Sequence, residues 1–142
     1  MDHEYILEKE FLRPMLMGRD IKRWCVDKFQ SMVLFPYKLR DSKAILLDKE
    51  ILEQNYPRTW RYLLDNKEKL GKRERGTFSE RPDWYGYVYL KNMDKFDLPK
   101  ILTQVLANRS AFAIDPEGKY YFPGGGNAGG YGVIPRDLLR PN

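Results

Sequence analysis

Lys72-Arg73-Glu74-Arg75, with Arg81 shortly after, precedes Trp84, Tyr85, Tyr87 and Tyr89. Guanidinium groups grip phosphates or base edges and rings pack beside them, so this combination fits nucleic-acid binding. The same residues also suit a solvated helix end followed by core aromatics, because cations favour a helix C-terminus. Gly124-Gly125-Gly126-Asn127-Ala128-Gly129-Gly130 is the second chemically suggestive stretch. Its amides could approach a phosphate, but a P-loop needs a Gly-Lys-Ser/Thr ending that opens a helix. This loop ends in Gly-Tyr and opens a strand-like segment, which argues against nucleotide binding. Catalytic sets are missing. His3 is the sole histidine and sits near the start, so Ser31, Ser42, Ser79 and Ser110 have no base partner. Cys25 is the sole cysteine, which excludes an internal disulfide and argues against a thiolate metal site. The acids are scattered and face basic neighbours on helices.

The charge balance sharpens the first candidate. The chain has 142 residues, 25 of them basic and 20 acidic, for a net charge of +5. Residues 58–81 hold eight basic residues against four acidic, so +4 of the +5 comes from one stretch. Hydrophobic residues make up 42% and aromatics 14%, enough for a packed core. The length fits a single domain over 1–142. Mean hydropathy is -0.64 and apolar runs such as Ala44–Leu47 stop at four residues. That is far short of the roughly 20 needed to cross a bilayer, so no membrane partner is expected. An acidic N-terminus, MDHEYILEKE, is unlike a secretory signal, and the expected compartment is the cytoplasm.

Several elements must position these residues. Arg13-Pro14 predicts a turn, and Gly18 with Asp20 predicts a bend and a capped turn of helix. Ser31–Tyr37 reads as a buried strand ending at Pro36. Asp48 and Pro57 mark helix starts, giving helices over 48–55 and 57–72. In the second, Trp60, Leu63, Leu64 and Leu70 share one face. Arg61–Asp65, Asp65–Lys69 and Glu68–Lys72 are i,i+4 pairs on the other. Residues 73–83 read as a loop and Trp84–Leu90 as a strand. Pro99–Leu106 reads as another strand. Ser110–Ile114 and Lys119–Phe122 flank Asp115-Pro116-Glu117-Gly118, a type I turn signal, and so predict a hairpin. Tyr131–Ile134 is a last strand. The predicted class is α+β, with short strands and hairpins around a central helical pair.

Read in order, these stretches resemble a known family. Leu12-Arg13-Pro14 and Gly18-Arg19-Asp20-Ile21-Lys22-Arg23-Trp24 come first, then Phe35-Pro36-Tyr37, Tyr56-Pro57, Tyr62-Leu63-Leu64 and Arg73. Trp84-Tyr85, Pro99-Lys100-Ile101-Leu102, Phe112-Ala113-Ile114-Asp115, Gly118-Lys119-Tyr120-Tyr121 and Gly129–Ile134 complete the series. The order is similar to the TaqI-like C-terminal specificity domain, the target recognition domain of adenine-specific DNA methyltransferases and type IIG restriction enzymes. It covers about residues 10–135. The resemblance implies a partner, double-stranded DNA, read opposite a separate methyltransferase catalytic domain of the same polypeptide. That domain would hold S-adenosylmethionine and an Asn-Pro-Pro-Tyr motif. Neither that motif nor an acidic-Gly-x-Gly cofactor loop occurs in this chain, so no cofactor and no catalytic residue are expected within it. The resemblance further implies a fragment, shortened at its C-terminus relative to the family.

The expected DNA-binding residues are Arg19, Lys22, Arg23, Lys72, Arg73, Arg75, Arg81 and Asn127. The 72–81 arginines are expected to grip phosphate, and the 124–130 loop to lie near bases, since Asn127 can pair with the adenine edge. A different class stays open at this point: a protein-interaction module using the aromatics at 84–89 and the glycine loop.

Overall fold

The computed structural model describes residues 4–28, 31–41, 43–122 and 129–139. In chain order the strands are β1 Leu12–Met15, β2 Ile21–Lys22, β3 Cys25–Val26, β4 Ser31–Leu34, β5 Tyr37–Arg40 and β6 Lys43–Leu46. Helices α1 Lys49–Asn55, α2 Pro57–Asp65 and α3 Lys67–Gly71 follow, then β7 Lys100–Gln104, β8 Phe112–Asp115 and β9 Gly130–Val133. The strands pair antiparallel, so the fold is the α+β arrangement of short strands and a few helices that the sequence predicts. The chain divides into two compact units.

One unit comprises residues 1–11 and 36–93. Its helices start where the sequence places them, with Asp48 before α1 and Pro57 as the first residue of α2. Pro57 suits that position because a first-turn N–H has no helical partner to lose. The predicted 57–72 helix breaks at Asn66, where α3 begins anew. Trp60 and Leu63 are buried as expected, but Leu64 is exposed and Thr59 takes the inward place. Thr59 is satisfied there by Glu8, whose carboxylate accepts the Thr59 hydroxyl at 2.6 Å and its amide at 2.7 Å.

Trp84–Leu90 is not a strand: the segment is a run of turns and bends. Trp84 and Tyr85 are consecutive and both buried, which an alternating strand on one sheet face does not allow. They pack with Trp60 at ring distances of 5.5–5.8 Å, and the Tyr85 hydroxyl donates to the Leu47 carbonyl at 2.8 Å. Tyr37 is the first residue of the β5–β6 hairpin rather than the end of the preceding strand. Asp41, at φ 49, makes that turn in a backbone region that Asp tolerates better than most residues.

The other unit comprises residues 12–35 and 94–142. Its three-stranded sheet has β7 in the centre, between β8 and β9. Leu102 and Ala113, paired across β7 and β8, pack with Leu16 and Ile21 as a core. Arg13-Pro14 does not turn but lies within β1, paired with β4. Pro14 fits because its carbonyl, and hence its missing N–H, faces away from β4 toward Tyr121. The predicted 110–122 hairpin also fails. The turn at 116–117 forms, but Tyr121 leaves the sheet and bridges Met15 of β1. Asp115 causes this departure. Its buried carboxylate accepts the Lys119 and Tyr120 amides at 2.9 and 3.0 Å, bonds that would otherwise go to a strand partner. The same carboxylate pairs with buried Lys100 at 2.8 Å. Among the described residues no helix is long and apolar enough to cross a membrane.

Candidate nucleic-acid interface

In the second unit a two-residue turn, Arg23-Trp24, joins β2 to β3. The hairpin is tied to the sheet at two points. Gln104 Nε2 donates to the Ile21 carbonyl at 2.8 Å, and the Trp24 amide donates to the Phe112 carbonyl at 2.7 Å. Ahead of it, Asp20 accepts the Met17 amide at 2.8 Å and closes a 3₁₀ turn over Gly18–Asp20. This is the structural role the sequence predicts, served from the end of the turn rather than its start.

The hairpin tip, β8 and the β7–β8 connection enclose a groove of about 880 Å³. Lys22, Arg23 and Arg109 supply its charge, and Gln104, Asn108 and Ser110 its neutral polar groups. Trp24 and Phe112 supply apolar surface, and no carboxylate is among its described lining residues. Arg23 holds its guanidinium 5.7 Å from the Trp24 ring centre. Lys22 and Arg109 are exposed and have no hydrogen-bond or ion-pair partner among the described residues. Three cations with no ion-pair partner among the described residues, beside amides and an exposed ring, make an anion-attracting surface with groups that can hydrogen-bond and stack. Arg19, of the same unit, is also exposed, 4.0 Å from an Asp20 oxygen.

The basic stretch of the first unit is less open than its sequence suggests. Arg73 points inward and donates to three backbone carbonyls: Leu70 at 2.7 Å, Gly86 at 2.9 Å and Trp84 at 2.5 Å. Burial pulls its guanidinium below the ordinary arginine pKa. Arg81 forms a two-pronged pair with Asp83 at 2.8 and 2.6 Å. The Asp83 carboxyl is held low mainly by that hydrogen bonding, against a smaller opposing effect of burial. Phe78, itself buried, receives both guanidinium groups, Arg81 at 4.4 Å and Arg73 at 4.7 Å. Lys72 pairs with Glu68 at 2.5 Å. Arg75 alone of the four has no partner among the described residues. It follows Glu74 at φ 48, stands at φ 62 and is exposed. Asn127 and the rest of the glycine loop at 123–128 lie outside the described residues.

Phe35 is buried against Phe96 and Tyr121 in one unit. Tyr37 is buried in the other, its hydroxyl accepting the Tyr87 amide at 2.5 Å. The groove brings Lys22 and Arg23, two of the expected DNA-binding residues, together with Trp24, Asn108 and Arg109, which the sequence reading did not single out as contacts. The available signal was the polar Asn108-Arg109-Ser110 cluster between two strand-like segments, a connection that puts side chains at a sheet end.

No family model matches this chain. It is similar to the type II restriction enzyme and methyltransferase RM.Eco57I of Escherichia coli, at 27% identity over 146 residues. The match covers 92% of this chain and 14% of the relative, so the chain spans about one seventh of that protein's length. The similarity is thus to a restriction-modification enzyme, over a small part of it.

Proposed function

We propose that this chain is a target-recognition module that reads double-stranded DNA, of the specificity-domain type its motifs resemble. A methyltransferase domain elsewhere in the parent polypeptide would hold S-adenosylmethionine and perform the chemistry. The observation that carries the reading is the groove lined by Lys22, Arg23 and Arg109 beside Trp24, with no carboxylate among its described lining residues. Similarity to a restriction-modification enzyme supports the same class. Lys22, Arg23 and Arg109 grip phosphates, and Asn108 and Gln104 lie nearest to base edges. Arg75 adds a phosphate contact in the other unit, while Arg73 holds the loop that displays it. Of the aromatics at 84–89 that the protein-interaction reading invokes, Trp84 and Tyr85 are core residues and Tyr89 is exposed.

Anisotropy titration against a labelled pool of random-sequence duplexes, at two ionic strengths, tests this. Affinity is expected to fall steeply with salt, since each phosphate contact releases counterions. Arg23→Ala and Arg109→Ala should each flatten the slope by about one unit. Salt-independent binding, or groove variants indistinguishable from wild type, would refute the assignment.

A further inference from the structure

Trp24 breaks two rules at once. Its φ is 72, a region costly for a bulky side chain and ordinarily given to glycine or asparagine in a tight turn. The residue is also 75% exposed, in contrast to Trp60 at 5% and Trp84 at 6%. The fold gains little from this ring: it leaves most of the side chain in water and strains the backbone to do so. Strain of this kind persists where the surrounding structure fixes it, here through the Trp24–Phe112 backbone bond and the Gln104–Ile21 clamp. The surroundings also select an occupant. Arg23, Lys22 and Arg109 attract a polyanion, and an exposed indole offers a flat face for stacking. Nucleic acid has both properties.

We propose that Trp24 is a stacking wedge: its indole packs on the face of a base exposed at an opened step of bound DNA, beside phosphates held by the groove cations. This rests on the DNA-reading function proposed above and adds a preference for duplex with a disrupted stack. Apolar and aromatic side chains placed between base steps act in this way in other DNA-binding proteins.

The test compares the full chain on two duplex pools, one fully paired and one carrying a single abasic nucleotide opposite a normal base. Wild type should bind the abasic pool about 10-fold more tightly, a gain within the usual range for one stacked base. Trp24 fluorescence should be quenched on binding, the two buried tryptophans contributing little change. Trp24→Gly should abolish the tenfold preference and keep the salt slope. It should also raise the melting midpoint, because glycine relieves the turn. Trp24→Phe should restore part of the preference. If Trp24→Gly keeps the preference and the salt slope, the wedge is refuted and the phosphate grip stands. If wild type shows no salt-dependent binding to either pool, the DNA-reading function itself is overturned and the wedge with it.

Discussion

The Lys100–Asp115 pair is the single interaction whose loss should most damage the groove-bearing unit. Both side chains are almost completely buried, at 3% and 2% exposed, and the charges stand 2.8 Å apart. The ammonium is fully used, donating also to the Phe96 and Leu98 carbonyls at 2.7 and 3.3 Å. The carboxylate is likewise used, by two backbone amides besides Lys100. Gly132 of β9 leaves room for the lysine stem, since a Cβ there would lie 2.8 Å from Lys100 Cδ. Asp115→Ala strands a buried ammonium and frees two amides. Breaking such a pair from one side costs about 3–5 kcal/mol. Set against a typical total of roughly 5–15 kcal/mol, the unit becomes marginal. At roughly 3–4 °C per kcal/mol for a chain of this size, the melting midpoint should fall by about 10–20 °C. Lys100→Met should be comparably harmful, whereas Lys100→Met with Asp115→Asn removes both charges and keeps one turn acceptor. The double variant should therefore recover at least half of the loss. Guanidinium titration by circular dichroism, with amide exchange of β7, measures all three. Single variants that each cost under about 1 kcal/mol, or losses that simply add in the double, would refute the reasoning.

Three further outcomes follow from individual contacts. Gly118 sits at φ 65, and a Cβ there would lie 2.1 Å from the Asp97 carbonyl oxygen. Gly118→Ala should cost about 3 kcal/mol or more, combining backbone strain with a clash against main chain; a denaturation midpoint near wild type would contradict this. Asp20→Ala removes the bond to the Met17 amide. It should lower stability by about 0.5–2 kcal/mol, and an unmoved melting midpoint would count against that role. Burial works to raise the Glu8 pKa, but hydrogen bonds from Thr59 and Arg58 outweigh it and leave the carboxyl below its ordinary value. A depressed folded-state pKa contributes stability above the unfolded value, and that contribution is lost as pH falls through the folded one. Glu8→Gln should therefore be less stable than wild type near neutrality and converge with it in acid. Parallel stability–pH curves would show that Glu8 is not the titrating group.

What the sequence disclosed, and what it hid, separates along one physical line. Features set by local pattern were readable: the α1–α2 break at Pro57, the Arg61–Asp65 and Glu68–Lys72 pairs, the β7 and β9 strands. Features set by a side chain taking over a backbone partner were not. Asp115 diverts Tyr121 from the expected hairpin to β1, and Arg73 turns a basic run into a framework by binding the carbonyls of Trp84 and Gly86. The β5–β6 hairpin escaped notice because its turn contains no glycine, and Asp41 adopts the positive φ instead. The groove escaped for a different reason. Lys22 and Arg23 meet Arg109 only through the sheet, and no spacing rule connects residues so far apart.

Positive φ values tie these observations to function. Asp41 and Asn92 adopt them at modest cost, as their side-chain types allow. Trp24, Glu74 and Arg75 have no such excuse; Trp24 follows Lys22-Arg23, and Glu74 and Arg75 lie in the basic stretch at 58–81. At Glu74 and Arg75 a reason within the fold is visible. Arg73 anchors the chain on one side, buried Phe78 lies on the other, and the Tyr89 hydroxyl reaches Glu74 at 3.3 Å. At Trp24 the anchors fix the backbone and leave the residue 75% exposed, with Arg23 beside its ring. A strained backbone and a ring left in water are the two observations on which the proposed stacking role of Trp24 rests, and Trp24→Gly separates that role from folding.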